Sequence, residues 1–400
     1  RQAGRGLMRG SHRLRGALTS AEIAVALAML VGSGLLIHSF TRLLEISPGF
    51  DAHNLVSIST QAPPSITTPG QRTAFYRRMH DALTAMPEIE SVDATSRLPL
   101  AGSDLGAAVL VEGRVQPPGE GLGVQFRRTT PGYFATMRIP LRAGRIFDEH
   151  DGASEIAVIS ETMQRKFWPG ESAVGRRIKL GPDPQHTPWT TVVGVVGDVR
   201  HYALDADAPA TVYTPYAVSP LYAPILVIRT RYDADRLLPI LAAKIRALDP
   251  NLPAYNLYSM QELIDRSTAQ RRFVMSLLTA FAAAALLLAA LGVFGAVSQA
   301  VAQRTREIGL RMALGSTPAE AVRLVFRDGM RFAVIGVAFG IAIAAALARV
   351  LRTLLFEVQP LDPAAFAGAS LVLLMFAALA CYLPARRATR IDPLLALRAE

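Results

Sequence analysis

Four stretches of this chain are almost free of charge over membrane-spanning lengths, and a long segment of mixed polarity separates the first from the other three. The apolar runs are Ile23 to Phe40, Phe273 to Ser298, Phe332 to Ala348 and Ala364 to Leu383. Residues 44 to 270 read differently. Leu55 to Thr60, Ser91 to Thr95, Glu155 to Ser160, Thr190 to Val196 and Pro224 to Thr230 are apolar or β-branched runs of strand length. Gln71 to Met86, with Phe75, Met79 and Leu83 on one face, and Arg236 to Leu248 have helical spacing. Gly- and Pro-rich stretches at 97 to 123 and 181 to 188 predict loops and candidate lobe boundaries. The expected fold class is membrane α-helical, four transmembrane helices, with an α+β domain inserted between helices 1 and 2.

Two of the spans are expected to continue outward. No proline occurs between Pro253 and Pro318, and Ser259 with Glu262 has capping-box spacing, so a helix is predicted from Met260 through Ser298. At ~1.5 Å per residue it is close to 60 Å long, about twice the hydrocarbon thickness. A separate surface helix over Gln261 to Gln270 is the plainer alternative. The first span meets no breaker until Ser47, Pro48 and Gly49. Gly32 and Gly34, Gly292 and Gly295, and above all Gly336 with Gly340 at GxxxG spacing are candidates for close helix packing in lipid. Glu22 and His38 lie near the ends of the first span, where interfacial positions are expected.

Composition supports a membrane protein: 51% of 400 residues are apolar and 18% charged, with mean hydropathy +0.28. Disorder is excluded for most of the chain. The net charge of +10 is unevenly placed, with 22 basic against 24 acidic residues between 44 and 270, and 20 against 8 elsewhere. Basic residues beside apolar runs set orientation and sit on membrane lipid, so nucleic acid is not an expected partner. Arg1 to Gly16, the segment around Arg304 to Arg331 and the tail from Arg386 to Arg398 then face the cytoplasm. Both termini are cytoplasmic and the 44 to 270 domain is external. A cleaved signal peptide fits the first run less well, because no A-x-A-like site follows Phe40. Cys381 stands alone, so neither a disulfide within the chain nor a cysteine metal site is expected.

Catalytic signatures are missing. Lys166, Lys179 and Lys244 are the only lysines, and none follows glycine, so there is no Walker A lysine to reach a nucleotide's phosphates. GxSxG and HExxH do not occur. Asp148, Glu149, His150 and Asp151 are adjacent residues that read as a solvated turn rather than a metal site. No catalytic residue, cofactor or metal is predicted.

The segment from Gln303 to Met330 is the most informative. Arg304 to Leu314 has helical character, with Glu307 four residues before Arg311. Gly315 stops it, and Thr317, Pro318 and Glu320 supply N-cap, N1 and N3 of a second helix. The product is a charged helical elbow between two spans. Arg306-Glu307-Ile308-Gly309-Leu310-Arg311-Met312-Ala313-Leu314-Gly315 resembles the hallmark of the MacB/FtsX-like permease family of ABC-type systems. Pro131-Gly132-Tyr133-Phe134, Ile139-Pro140-Leu141 with Gly144-Arg145-Ile146-Phe147, and Phe167-Trp168-Pro169-Gly170 with Val174-Gly175-Arg176-Arg177-Ile178 resemble its external-domain signatures. Pro384-Ala385-Arg386-Arg387-Ala388 with Ile391-Asp392-Pro393 resembles its C-terminal end, and Ser316 stands where alanine is more usual.

The resemblance implies a bacterial inner-membrane permease subunit, not an enzyme, driven by a separate cytoplasmic ABC-type ATPase that contacts the elbow, Arg304 to Gly315 especially. The motion passes through long helices to a periplasmic domain, for export or efflux from the periplasm. An FtsX-like regulator, activating a periplasmic partner protein such as a cell-wall hydrolase, is the alternative. A membrane-anchored enzyme is a third class, with no motif in its favour. MacB's fused N-terminal ATPase domain is not part of this sequence. Arg1 to Gly16 resembles the linker before the second unit of the acidobacterial duplicated orphan permease group, which implies a second permease unit, in the same longer chain or as a dimer. The expected division is a basic cytoplasmic segment or linker at 1–16, helix 1 with its extension at 17–46, and a periplasmic MacB-like α+β domain at 47–258. A stalk with helix 2 follows at 259–302, the coupling elbow at 303–330, helices 3 and 4 at 331–356 and 364–384, and a tail at 385–400.

Overall fold

The computed structural model describes residues 3–102, 106–114, 122–152, 154–181, 186–248, 255–313, 318–350, 352, 355 and 358–388. It divides into two compact units, Ile46–Ala269 and, together, Arg1–Glu45 with Gln270–Glu400.

The second of these is helical. Its elements are α1 (Ala3–Glu45), most of α6 (Met260–Ala313), α7 (Pro318–Val350) and α8 (Pro363–Ala388). All four are long and apolar enough to cross a membrane. Ala, Leu, Val and Ile dominate their middles, and Pro384, near the end of α8, is the one proline inside any of them. Ile23, Leu27, Val31 and Leu35 of α1 are fully buried against Val293 and Val297 of α6, Ala333 and Ala344 of α7, and Leu373, Ala377 and Cys381 of α8. Of the four, α1 is the most enclosed and α6 the least, with Phe273, Phe281, Leu288 and Leu291 exposed along it. The basic N-terminal segment is helical from Ala3 and continuous with the first span, with no proline to interrupt it.

The external unit contains β1 (Leu55–Ser59), α2 (Pro69–Thr84), β2 (Ile89–Thr95), β3 (Gly106–Val111), β4 (Leu122–Thr129), α3 (Tyr133–Met137), β5 (Leu141–Gly144), β6 (Ile156–Ser160) and α4 (Glu161–Phe167). It continues through β7 (Arg177–Gly181), β8 (Thr190–Val196), β9 (Thr211–Pro215), β10 (Ile225–Thr230), α5 (Ala234–Leu248) and β11 (Tyr255–Ser259). The strand order is β11-β1-β10-β2-β4-β3-β7-β8-β6-β9, with β5 beside β8. Two lobes follow from this order. In the first, β11, β1, β10 and β2 are mutually antiparallel and carry α2 and α5, the split β-α-β-β-α-β arrangement. Its core joins Val56, Ile58, Leu226 and Ile228 to Phe75, Met79, Leu83, Leu237, Leu241 and Ile245.

The second lobe is inserted between β2 and β10. Strand β9 pairs in parallel with β4, so β4, β3, β7, β8, β6 and β9 close into a ring that leaves none of the six with a free edge. One face of the ring holds Val109, Val124, Ile159, Ile178, Val192 and Val212 against Met163 and Phe167 of α4. The lobes meet at a narrow waist, where the β2–β4 ladder is the single pair Thr95 and Thr129. It is flanked by bonds from Ser96 N to Arg128 O (2.9 Å) and from Thr130 N to Ala94 O (3.0 Å). The stretch 97 to 123, expected as loop, contains β3, which belongs to the ring.

Candidate coupling site

Helix α6 does not end with its apolar run. Its backbone stays helical through Ala313, so Arg304, Arg306, Glu307, Ile308, Gly309, Leu310, Arg311, Met312 and Ala313 lie on the same rod as the second span. Leu314 and Gly315 fall outside the described residues, as do Ser316 and Thr317. Helix α7 restarts at Pro318, which has no N–H to leave unbonded in a first turn, and Glu320 sits in that turn. It then runs without a break into the third span, so each arm of the elbow is an extension of a span. Phe326 packs on the membrane core while Arg323 and Arg327 are exposed. A Cβ on Gly329 would fall 2.6 Å from Cys381 Sγ, which seats the second arm closely against α8.

The small residues of α7 face α1. A Cβ on Gly336 would lie 2.7 Å from Ile23 Cβ, and one on Gly340 2.9 Å from Leu27 Cβ and 3.1 Å from Ala24 Cα. Ser20 Oγ donates to Phe332 O at 3.2 Å across the same seam. Glu22, expected at the interface with water, is half-buried, with its carboxylate against Gly292 of the charge-free α6 run. At the other end of α1, His38 Nδ1 lies 2.9 Å from Asp362 Oδ2. Asp362 accepts the Ala364 N–H at 2.9 Å. That backbone bond, then His38, holds its carboxyl below the ordinary aspartate range.

The external unit buries polar groups that the sequence pattern does not flag. Arg229 is 2% exposed and donates to Thr136 O (2.7 Å), His53 O (2.8 Å) and Asp51 O (2.9 Å). Asp93 accepts from Thr130 Oγ1 (2.8 Å) and Thr136 Oγ1 (2.6 Å). Desolvation raises its pKa and these bonds pull the other way. Arg127, fully buried, donates from Nε to His201 Nδ1 at 3.2 Å. Burial first, and then that guanidinium, push the His201 pKa well below the ordinary histidine value. Burial takes the neighbouring Tyr133 hydroxyl up to about 12. These groups are tied into structure with no nucleophile–base pair among them. A charge inside an otherwise apolar strand, as in Leu226-Val227-Ile228-Arg229, is the available signal for them. At Asp148–Asp151 the chain forms a 3-10 turn in which Asp148 caps the following N–H groups and Asp151 takes a bidentate pair from Arg145 (2.6 and 2.7 Å). Among the described residues no group of three or more His, Cys, Asp and Glu could hold a metal ion.

Comparison with known proteins brings these parts together. The MacB-like periplasmic core domain family matches residues 17–244, and the FtsX-like permease C-terminal family matches residues 279–393. The chain is 28% identical over 276 residues to the pyoverdine export ATP-binding/permease protein PvdT of Pseudomonas aeruginosa, covering 65% of this chain and 40% of that protein. It is 25% identical over 412 residues to the macrolide export ATP-binding/permease protein MacB of a Shewanella species, covering 98% of this chain and 60% of that one. The chain therefore spans about half the length of the curated relatives it matches. The crystal structure of the periplasmic region of MacB from Actinobacillus actinomycetemcomitans aligns over 54% of this chain and 94% of its own, at 14% identity and a TM-score of 0.37.

Proposed function

The chain belongs to the MacB/FtsX-like permeases of ABC-type systems, and from that premise we propose that it is the permease component of an export system worked by a separate cytoplasmic ATPase. It is a multi-pass membrane protein with a large periplasmic domain. In this reading the membrane is the bacterial inner membrane and both termini are cytoplasmic. Nucleotide hydrolysis is the partner's task, because this chain's three lysines all lie in the external unit and none has the phosphate-loop setting.

The observation that carries the reading is α6. Its 54 residues form one helix, about 80 Å at ~1.5 Å per residue against a hydrocarbon core of ~30 Å. A helix is stiff along its axis, so a push on the elbow residues Arg304 to Ala313 is delivered to β11, the strand that immediately precedes it. Arg304 to Gly315 is the surface we assign to the ATPase. Gly336 and Gly340 hold α7 to α1 so that the second arm moves with the first span. The exposed apolar side of α6 fits lipid or a second permease unit, either the other half of a duplicated orphan permease or a second copy.

Reconstituted with an ATPase encoded beside it, the protein is expected to stimulate ATP hydrolysis, and Arg306→Glu or Glu307→Arg to abolish most of that stimulation without lowering the amount of folded protein. Full stimulation in both variants removes the elbow from the mechanism. Loss of small-molecule or peptide efflux in a deletion strain supports export, whereas stable capture of a cell-wall hydrolase by the external domain supports the regulator instead.

A further inference from the structure

Both membrane connections of the external unit leave from the first lobe. Strand β1 follows the end of α1 by a short lead-in, β11 runs directly into α6, and the two strands pair with each other, Val56 beside Ser259. On connectivity alone, movement of either helix would carry the first lobe bodily and leave the ring to follow passively. The lead-in, residues 46 to 54, does not allow that, because it is bonded to the other lobe before it reaches β1.

Pro48 O accepts the N–H of Arg200, which lies just beyond β8 of the ring, at 2.9 Å. Gly49 adopts φ +90 and presses on the same stretch, so that a Cβ there would overlap the Asp198 carbonyl oxygen and fall 2.8 Å from Val199 Cα. Only glycine meets both demands, a left-handed backbone and no side chain. Asp198 in turn is built into the ring. Its carboxylate accepts Thr162 N (2.7 Å) and Thr162 Oγ1 (2.8 Å) and pairs with Arg165 (2.7 Å), which ties the seat to the first turn of α4. Farther along, Asp51 N donates to Met137 O at 3.0 Å and Arg138 holds the Asp51 carboxylate at 2.6 Å, so the lead-in also grips α3 beside the waist. Buried Arg229 of the first lobe closes the joint from the other side through the Asp51, His53 and Thr136 carbonyls.

We propose that residues 47 to 53 are a transmission strap seated on the ring by Gly49, so that the ring lobe is positioned by α1 while the first lobe is positioned by α6. Sliding of one helix past the other is then converted into rotation of the lobes about the single Thr95–Thr129 pair. Gly49, Asp198 and Arg229 are positioning residues for this conversion. The strap deepens the export reading and depends on it only for the source of the movement.

The test uses the full chain in lipid nanodiscs, with Cys381→Ser and spin labels on Arg78→Cys of α2 and Lys166→Cys of α4, both exposed positions, one on each lobe. The parent is expected to give one narrow interlabel distance distribution. Gly49→Val, which unseats the strap, is expected to shift and broaden it, whereas Gly70→Val, a control with no atom within 4 Å of the added Cβ, leaves it unchanged. A Gly49→Val distribution identical to the parent's overturns the strap. A second variant keeps every strap contact: two glycines inserted between Ile46 and Ser47 add up to about 7 Å of slack. With the ATPase present, the parent's distribution is expected to shift on nucleotide addition and the insertion variant's to stay at rest. An insertion variant that shifts like the parent overturns the strap as transmitter. A parent that never shifts with nucleotide, while Gly49→Val still broadens the distribution, overturns the ATPase coupling and leaves the strap standing.

Discussion

In the membrane unit the contacts that join α7 to α1 are backbone to side chain, Gly336 onto Ile23 and Gly340 onto Leu27. In the external unit they are polar, with one guanidinium on three carbonyls and one carboxylate on two threonines. The solvent explains the difference. Lipid tails are as apolar as the side chains they contact, so helices there associate by fitting closely and using small residues. Water drives the external unit to bury apolar surface, and that unit can enclose charges provided each one finds its partners. Damage should therefore follow different rules in the two places: loss of a partner outside, gain of bulk inside.

The sharpest test of that contrast is Arg229→Met, which keeps the length of the side chain and strips three carbonyls of their donors. It is expected to cost about 3–5 kcal/mol, read by denaturant unfolding of the full chain in detergent. A loss below 1 kcal/mol would mean the arginine is no more than a surface charge. Next comes Gly340→Leu, with an expected cost of about 1–3 kcal/mol, confined to separation of α1 from α7 and visible as a lowered transition for the helical unit alone. If the external unit melts earlier as well, the two units are not independent in the way their opposite chemistry predicts.

The smallest effect belongs to Asp151. Its hydrogen bonds from Arg145 come first among the causes that lower its pKa, from 3.8 to about 2. An acid whose folded value is depressed stabilises the fold above its unfolded value and loses that contribution as pH falls through the folded one, here between about 4 and about 2. Asp151→Asn should remove this slice of the acid dependence and change neutral-pH stability by less than about 1 kcal/mol, since the pair is exposed to screening. Equal acid unfolding curves for parent and variant would dismiss it.

What was legible in the sequence follows the same division. The four spans announce themselves because hydropathy over such lengths needs no knowledge of neighbours, and the start of α7 because Pro318 is a local helix-start signal. The lengths of α6 and α7 were harder to see, since charge density marks where lipid ends and says nothing about where a helix does. In the external unit, Thr190–Val196 and α5 were readable from their apolar periodicity. Strand β3, Gly-Ala-Ala-Val-Leu-Val inside a glycine-rich stretch, was hidden by its small residues, and β5, β7 and β9 by their short length and mixed polarity. The closed ring is set by pairings between strands far apart in sequence, such as β4 with β9, and no local pattern carries that information. The Arg229 joint escaped for the same reason, because its three acceptors come from two distant segments.

The pairing of β1 with β11 has one more consequence. Val56 of β1 and Ser259 of β11 lie one strand spacing, about 5 Å, apart, so the first and last strands of the external unit are clasped side by side whatever is inserted between them. Sequence change in the inserted ring can thus accumulate without disturbing the strand pair at which the unit opens and closes.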